Sequence, residues 1–418
     1  MLAATAKAVD PLRTADASID ERNDPCTFTL VTRRADFDAL QTEWNDLFNR
    51  SGRGTQVFQT FNWNWHWCNH YLDGSAEGQS GASLAVVTGR RNGRLVLVCP
   101  FVIERAAGLR QLKWMGAPVS QYGDVLIEDC SDSLQILRDA WQFIETEVQP
   151  DVARLRKVRE DAAVTPLLDE LNAHSTEQLQ APYLDLASAK DFSDYEQRYS
   201  PRSRRNRRRL GRRLDERGTV KFERLTQGAR ARELAKIAIK MKRTWLKDRG
   251  LVSPAFANPR MDAFFEAVAD SADHPVGCEI WALMSGDEVT AIEIAFHAKD
   301  RIVMHVIVFN LAFEKAGAGV LLIERTISDS FGGECRTFDL LAPADGYKLD
   351  WADGVAEVND WVLPATAKGW IYTHVYLGFV RRSIKAVLAA LPKDMRRSVA
   401  TLFLSKSEKS GESNRSTR

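Results

Sequence analysis

Long apolar runs are missing from this 418-residue chain. A helix needs about 18 uncharged apolar residues to cross a bilayer, and no such stretch occurs, so a membrane span is not expected. The nearest approach, Trp370 to Leu391, is interrupted by Arg381, Arg382 and Lys385. It reads as a core-packed helix able to make a peripheral contact with a membrane surface. Cysteine is sparse as well. Cys26, Cys68, Cys99, Cys130, Cys278 and Cys335 are scattered, with no CxxC pair and no Cys/His grouping at zinc spacing, and they read as reduced, mostly buried thiols. His66 and His70 stand four apart without an evident third ligand, so no metal is expected. An excess of one charge sign is also absent: the net charge is +1, which excludes a global basic field and leaves any attraction for polyanions to local patches. Neither a P-loop, a nucleophile elbow nor a dinucleotide-binding glycine run is found.

What is present is enough apolar material, 44% of residues, for two domain-sized cores. Residues 1–25 carry five acidic side chains and no basic-then-apolar order, so they read as a disordered leader of a cytoplasmic protein rather than a secretory signal. The polar stretch 405–418 reads as a disordered tail. Between them the pattern is α/β. Strand Thr27 to Thr32, helix Asp36 to Asn49, a Trp-rich helix Phe61 to Leu72, a hairpin of Ser83 to Gly89 with Arg94 to Glu104, strand Leu109 to Met115, helix Ser131 to Val148 and strand Ala153 to Val158 make up the first part. The second part repeats that order: strand Thr219 to Arg224, helices Arg230 to Lys247 and Arg260 to Ala269, hairpin Glu279 to Ser285 with Glu288 to His297, strand Ile302 to Phe309, helix Gly319 to Phe331 and strand Arg336 to Leu341. A duplicated α/β unit with a mixed sheet is the expected fold, with units at 26–182 and 183–404. The short strand Tyr183 to Leu186 falls at their junction.

The strand–turn–helix from Ile302 through Glu314 to Gly319 is the most informative local feature. A glycine-containing turn that opens a helix leaves the first backbone N–H groups unpaired, and the helix dipole adds partial positive charge, which suits a diphosphate. An ordinary loop and helix cap has the same local pattern. The loudest charge signal is the helix Arg202 to Arg213, where eight of twelve residues are Arg and a stripe of Asn206, Leu210 and Leu214 is left to pack. Such a helix is a candidate polyanion contact, and the lack of interleaved aromatic residues argues against stacking on single-stranded RNA.

From about 27 to 365 the chain resembles the CelD-like proteins of cellulose biosynthesis, a branch of the GNAT superfamily of N-acetyltransferases. The resemblance rests on Phe58 to Trp63 with Trp67, Arg204 to Asn206 with Leu210 and Leu214, Trp245 with Arg249 and Gly250, Glu293, Gly319 to Leu322, Phe338 to Leu341, and Tyr347, Lys348 and Trp351. It implies a tandem GNAT fold, also seen in Fem-type aminoacyl-transferases, in which two neighbouring strands splay and acyl-CoA enters the gap. The co-substrate implied is acetyl-CoA or another acyl-CoA, held by Lys315, Gly317, Ala318, Gly319 and Val320. The turn departs from the superfamily pattern at Glu314, where Gln or Arg is usual.

Amide formation from a thioester needs a proton acceptor for the amine and a proton donor for the leaving thiolate. Glu293, flanked by Ala291 and Ala295, is the candidate base, and a solvated outer face is its alternative. His305 reads as a satisfied core histidine or a catalytic one. Asp339 is either structurally paired or part of the site. Tyr347 is the candidate acid, with Lys348 beside it as an anion contact. The resemblance points to a small-molecule or carbohydrate-precursor acceptor, such as an amino sugar in exopolysaccharide production. The alternatives are a Fem-type transferase whose arginine helix grips tRNA, and a non-catalytic polyanion-binding descendant.

Overall fold

A computed structural model describes residues 24–72, 81–251, 253–271 and 277–380. The leader 1–25 lies almost wholly outside them, as do the tail 405–418 and the end of the Trp370 to Leu391 segment.

Among the described residues fifteen strands form two sheets. A small antiparallel sheet contains β1 (Thr27–Val31), β3 (Val86–Arg91), β4 (Arg94–Cys99) and β7 (Leu126–Ile127). The large mixed sheet contains β2 (Ala82–Leu84), β5 (Phe101–Ala106), β6 (Leu109–Trp114), β8 (Val152–Arg159), β9 (His174–Asp185), β10 (Val220–Leu225), β11 (Gly277–Ser285), β12 (Glu288–Ala298), β13 (Arg301–Phe309), β14 (Thr337–Asp339) and β15 (Gly354–Pro364). Its spatial order is β10-β11-β12-β13-β14-β9-β15-β8-β6-β5-β2.

The expected first hairpin is divided between the sheets. β3 and β4 pair in the small sheet while their continuations β2 and β5 pair in the large one. The change falls at Ala85 and at Pro100, which has no backbone N–H to continue a ladder.

Each half contributes one parallel pair joined across a helix. β6 meets β8 by way of helix α1 (Ser133–Phe143), and β13 meets β14 by way of a helix described below, each over only three residue pairs. The last strand of each half is exchanged. β9, which follows β8, pairs with β14, whereas β15, which follows β14, pairs with β8, and the two long strands pair with each other at the centre. Residue 183, where the sequence suggests a boundary, thus lies inside the twelve-residue strand β9 rather than at a short separate strand.

Helices α2 (Pro201–Asp215), α3 (Ala229–Asp248), α4 (Arg260–Asp270) and α5 (Ala318–Ser330) cover the second half. α3 and α4 lie on one face of β11–β13 over Ile292, Ile294 and Phe296, together with the Trp-rich helix Phe61–Tyr71. In that helix Trp63, Trp67 and Tyr71 are core residues. α5 and α2 lie on the other face over Trp281, Ala291 and Ala295.

α2 packs through Arg207, Leu210 and Leu214, and Asn206 faces outward, which corrects the expected stripe. The guanidinium of Arg207 lies 4.8 Å from the Tyr199 ring and 5.0 Å from Trp351, and its Nε donates to Glu324 at 2.5 Å. An arginine whose charge is paired and whose plane rests on aromatic rings can take a core position.

Candidate functional site

Alternation along β12 and β13 sorts the candidate residues onto two faces. Along β12, Glu293 points toward α5 with Ala291 and Ala295, and it is completely buried, so the solvated outer face is excluded. Its Oε2 accepts from Thr326 Oγ1 at 3.2 Å, while Oε1 has no partner. Burial pushes the carboxyl up to about 8; the charge of Glu279 adds to the rise and the Thr326 hydrogen bond opposes it.

His305 occupies an irregularity in β13. Val306 pairs with Ile294 and Met304 with Ala295, so His305 is the extra residue of a bulge. The bulge turns His305 onto the α3–α4 face, among Phe58, Trp63, Phe265 and Phe296. Its Nε2 donates to the Val119 carbonyl at 2.7 Å. Burial lowers the imidazole to about 4, the Val119 bond opposing and the charge of Lys157 adding. A neutral ring in an aromatic pocket across the sheet from Glu293 is a packing element, and the geometry does not bring it to the other candidates.

Asp339 is also set apart. Its Oδ1 accepts from Tyr122 Oη at 2.8 Å and from the Leu341 N–H at 2.9 Å, and its Oδ2 accepts from Arg301 at 2.9 Å and Arg159 at 3.2 Å. With both oxygens doubly occupied, this carboxylate ties Tyr122 and Arg159 of the first half to Arg301 of the second.

The strand pair β13/β14 forms the gap. Parallel pairing runs from Arg301↔Thr337 to Val303↔Asp339 and stops; β13 continues to Phe309, and among the described residues no strand pairs with Met304 to Phe309 on that side. Beyond β14 the chain turns through Leu341 to Asp345 into the single-turn helix Gly346–Leu349. Lys348 is buried there, and its Nζ donates to the carbonyls of Leu341 (2.8 Å) and Pro343 (3.0 Å). Burial draws this ammonium down to about 8, with Asp345 opposing and Lys242 adding.

Tyr347 keeps 41% of its surface exposed. Burial nevertheless raises its phenol, and the charges of Asp345 and Glu293 raise it further.

On the opposite lip Lys242 of α3 donates from Nζ to the Ile307 carbonyl at 3.2 Å and lies 4.8 Å from the Trp245 ring. Burial lowers Lys242 as well, against the attraction of Asp345. The sequence reading missed Lys242. It sits in register with the buried stripe Ala235, Ala238 and Ile239 of α3, and a lysine on an apolar stripe is the signal that would have found it.

Below the gap α5 starts at Ala318. Gly317 adopts a left-handed conformation (φ 71°), and a Cβ there would meet Leu210 of α2 at 2.6 Å. No side chain caps α5, so the N–H groups of Ala318, Gly319 and Val320 have no intrahelical or capping acceptor. Glu314 is paired with Arg249 at 2.8 Å, which itself stacks 4.5 Å from Trp245. Its carboxylate is therefore matched by a cation, and both glycines meet a packing requirement: a Cβ on Gly319 would meet Phe309 at 2.9 Å. Lys315 and Val320 are exposed beside this turn.

A sequence model of the acetyltransferase (GNAT) domain family matches residues 201–349, from the start of the arginine helix to the Lys348 turn. Over these residues the chain is similar to a GNAT acetyltransferase domain. The matched stretch takes in the gap, both lysines, Glu293 and the Gly317 turn. Among solved structures, FemX aligns over 84% of this chain and 99% of its own with TM-score 0.56 and 10% identity, a likeness of fold. A conserved protein of unknown function from Bacteroides thetaiotaomicron aligns at TM-score 0.47 and 11% identity over 81% and 100% of the two chains. A tandem GNAT protein from the clavulanic acid biosynthesis pathway aligns at TM-score 0.42 and 10% identity over 82% and 99%. No curated protein sequence matches the chain. Among the described residues no helix is long and apolar enough to cross a membrane, and no group of three or more His, Cys, Asp or Glu residues could hold a metal ion.

Proposed function

We propose that the chain is an acyl-CoA-dependent N-acyltransferase whose thioester lies between β13 and the loop after β14. The observation that carries this reading is the interrupted pairing at Val303↔Asp339 directly ahead of an uncapped helix start, which offers an extended ligand a strand edge and its diphosphate a set of free N–H groups. The acyl-CoA supplies an activated carbonyl and a thiolate leaving group.

The amine nitrogen forms the C–N bond as the C–S bond breaks. The ionised form of Glu293, whose share grows as pH rises toward about 8, takes the amine proton. Lys242, with two N–H groups beyond its Ile307 bond, holds the negative charge that develops on the carbonyl oxygen. For the thiolate, with a thiol pKa of about 8.5, the ammonium of Lys348 near 8 is a closer match than the raised phenol of Tyr347. Two of its three N–H groups are engaged and the third is left for sulfur. Tyr347 then orients the acceptor at the mouth. Proton transfer from Glu293 to the neutral Lys348 amine closes the cycle.

By its resemblance to CelD-like proteins the acceptor is an amino sugar or a related exopolysaccharide precursor, with units 26–182 and 183–404 bounding the acceptor cleft. Titration calorimetry with acetyl-CoA and longer acyl-CoAs tests the donor. Lys348→Met is expected to lower kcat about 10²-fold or more and Tyr347→Phe to act mainly on KM. No heat with any acyl-CoA would remove this reading.

One observation favours a second donor. Arg202, Arg205, Arg208, Arg209, Arg212 and Arg213 are exposed on α2, whose Leu210 abuts Gly317, so a basic ridge adjoins the diphosphate position. A Fem-type transferase would use that ridge for aminoacyl-tRNA. Steeply salt-dependent tRNA binding, lost on multiple Arg→Ala substitution in α2, supports that donor instead.

A further inference from the structure

A lysine of the first half, which the acyltransfer reading does not use, stands beside the gap. Loop 119–122 spans the fork between β13 and β14: the Val119 carbonyl accepts from His305 Nε2 at 2.7 Å, and Tyr122 Oη donates to Asp339 at 2.8 Å. The loop is thus fixed to β13 just past the last parallel pair and to β14 at its end. Val119 and Tyr122 belong to the core on the α3–α4 face, opposite α5. On its other side the loop is held by Lys157 of β8, whose Nζ donates to the Ser120 carbonyl at 3.1 Å and to Gln121 Oε1 at 2.6 Å. His305 and Lys157 therefore bind the carbonyls of adjacent residues. Lys157 reaches the loop from an irregular backbone. Arg156 and Lys157 together face the single residue Asp360 of β15, which makes a bulge, and Lys157 takes a left-handed conformation (φ 58°) that is strained for any residue but glycine.

The ammonium placed in this way lacks an anion. Both of its partners are neutral oxygens, and among the described residues no carboxylate lies within ion-pair distance of it. Asp360 is already engaged, its Oδ1 by the Lys157 backbone N–H at 2.8 Å and its Oδ2 by Arg156 Nε at 2.7 Å. Burial draws Lys157 down to about 8, Arg156 adding and Asp360 opposing. A cation withdrawn from water without a counter-charge is costly, and one of its three N–H groups is left over. The NH2 group of Gln121, whose Oε1 is taken by Lys157, also makes no hydrogen bond among the described residues. Lys157, Ser120 and Gln121 each keep part of their surface open. We propose that Lys157 and Gln121 receive an anionic group of the acceptor, a carboxylate or a phosphate, beside the fork. Only the name acceptor rests on the acyltransfer reading; the anion site stands on the unpaired ammonium. It lies across the sheet from the proposed diphosphate position, so the two anions do not compete.

Reductive methylation of the full-length protein at pH 8 with limiting formaldehyde, read lysine by lysine by peptide mass spectrometry, tests the site. The reaction is run in chloride, in inorganic phosphate and in acetate at equal ionic strength. Lys157 is expected to methylate readily in chloride and about tenfold more slowly in phosphate, in acetate or in both, because a bound anion that raises an ammonium by about one pH unit removes that share of free amine. Which anion protects names the group that the acceptor carries. Lys348, drawn down to the same range but bonded to the Leu341 and Pro343 carbonyls, is the internal reference and should not respond. Calorimetry with acyl-CoA separates the two readings: no heat with any acyl-CoA, together with protection of Lys157, removes the acyltransfer reading and retains the anion site. Resistance of Lys157 to methylation in chloride, equal rates in all three salts, or equal protection of Lys157 and Lys348 overturns the proposal.

Discussion

Replacing Glu293 by Gln isolates the energetic consequence of sealing a carboxyl between β12 and α5. The side chain keeps its shape and an oxygen to accept from Thr326, so packing is preserved while the titration is removed. In the unfolded chain this carboxyl ionises near 4.5, whereas burial holds it protonated in the fold up to about 8. Between those values the folded state binds one more proton than the unfolded state, and wild-type stability must fall as pH rises. At about 1.4 kcal/mol per pH unit the full effect is roughly 5 kcal/mol, present below pH 4.5 and lost by pH 8. Lys348, drawn down to about 8, acts with the opposite sign at higher pH, gaining stability from about pH 8 upward, and it is common to both proteins. The assay is urea unfolding of wild type and variant from pH 4 to 9, read as a difference so that all other groups cancel. Glu293→Gln should gain on wild type steadily between about pH 4.5 and 8 and hold a constant advantage above that. Parallel curves across the range would refute a buried carboxyl that ionises only near 8, and with it the poise proposed for the base.

Asp339→Ala removes the acceptor of Tyr122, Arg159, Arg301 and the Leu341 amide and leaves two guanidinium groups in the interior without their shared anion; urea melts should show a loss of about 3–5 kcal/mol, and a loss below 1 kcal/mol would contradict the hub. Gly317→Ala forces a Cβ into a left-handed residue and against Leu210, for an expected cost of about 1–3 kcal/mol; pairing it with Leu210→Ala should recover the steric part, measurable as coupling in a double-mutant cycle. Arg249→Ala frees the Glu314 carboxylate beside the proposed diphosphate position; because the pair is exposed, stability should change by less than about 1 kcal/mol, while on the proposed function acyl-CoA affinity in calorimetry should fall several-fold and return in Arg249→Ala with Glu314→Gln.

Much of the second half was legible because its elements obey one period at a time. The stretch Gly277–Ala298 is two apolar runs around Gly286-Asp287, and α3, α4 and α5 carry clear helical stripes. Elements whose partners are remote in sequence were harder to read. β15 does alternate, with Ala356, Val358, Asp360 and Val362 inward, but an acid takes one inward position and masks the pattern; Asp360 is tolerated there because Arg156 and the Lys157 N–H satisfy it. β9 was read only at its end because much of it is polar, and its length is set by pairing with β14 and β15, strands more than 150 residues further on. The reciprocal exchange of β9 and β15 has no local signature at all.

The candidate site divides in the same way. Glu293 was legible because two alanines beside a carboxylate in an apolar strand mark an inward face, and Tyr347 and Lys348 because they follow the last short strand into a turn. The bulge at His305 was not legible: Val303 to Val308 is apolar on both faces, so one extra residue changes which side the histidine takes without changing any visible period. Asp339 shows the limit from the other direction. A carboxylate at the end of a buried strand looks the same in sequence whether it meets a substrate or two arginines, and only the long-range contacts to Tyr122 and Arg159 decide. Glu314 illustrates the corresponding gain. Judged against the turn alone its charge opposes a diphosphate; once α3 brings Arg249 to it, the repulsion is answered from outside the motif, which is why the measurement that matters there is the paired Arg249 and Glu314 exchange rather than the change of Glu314 alone.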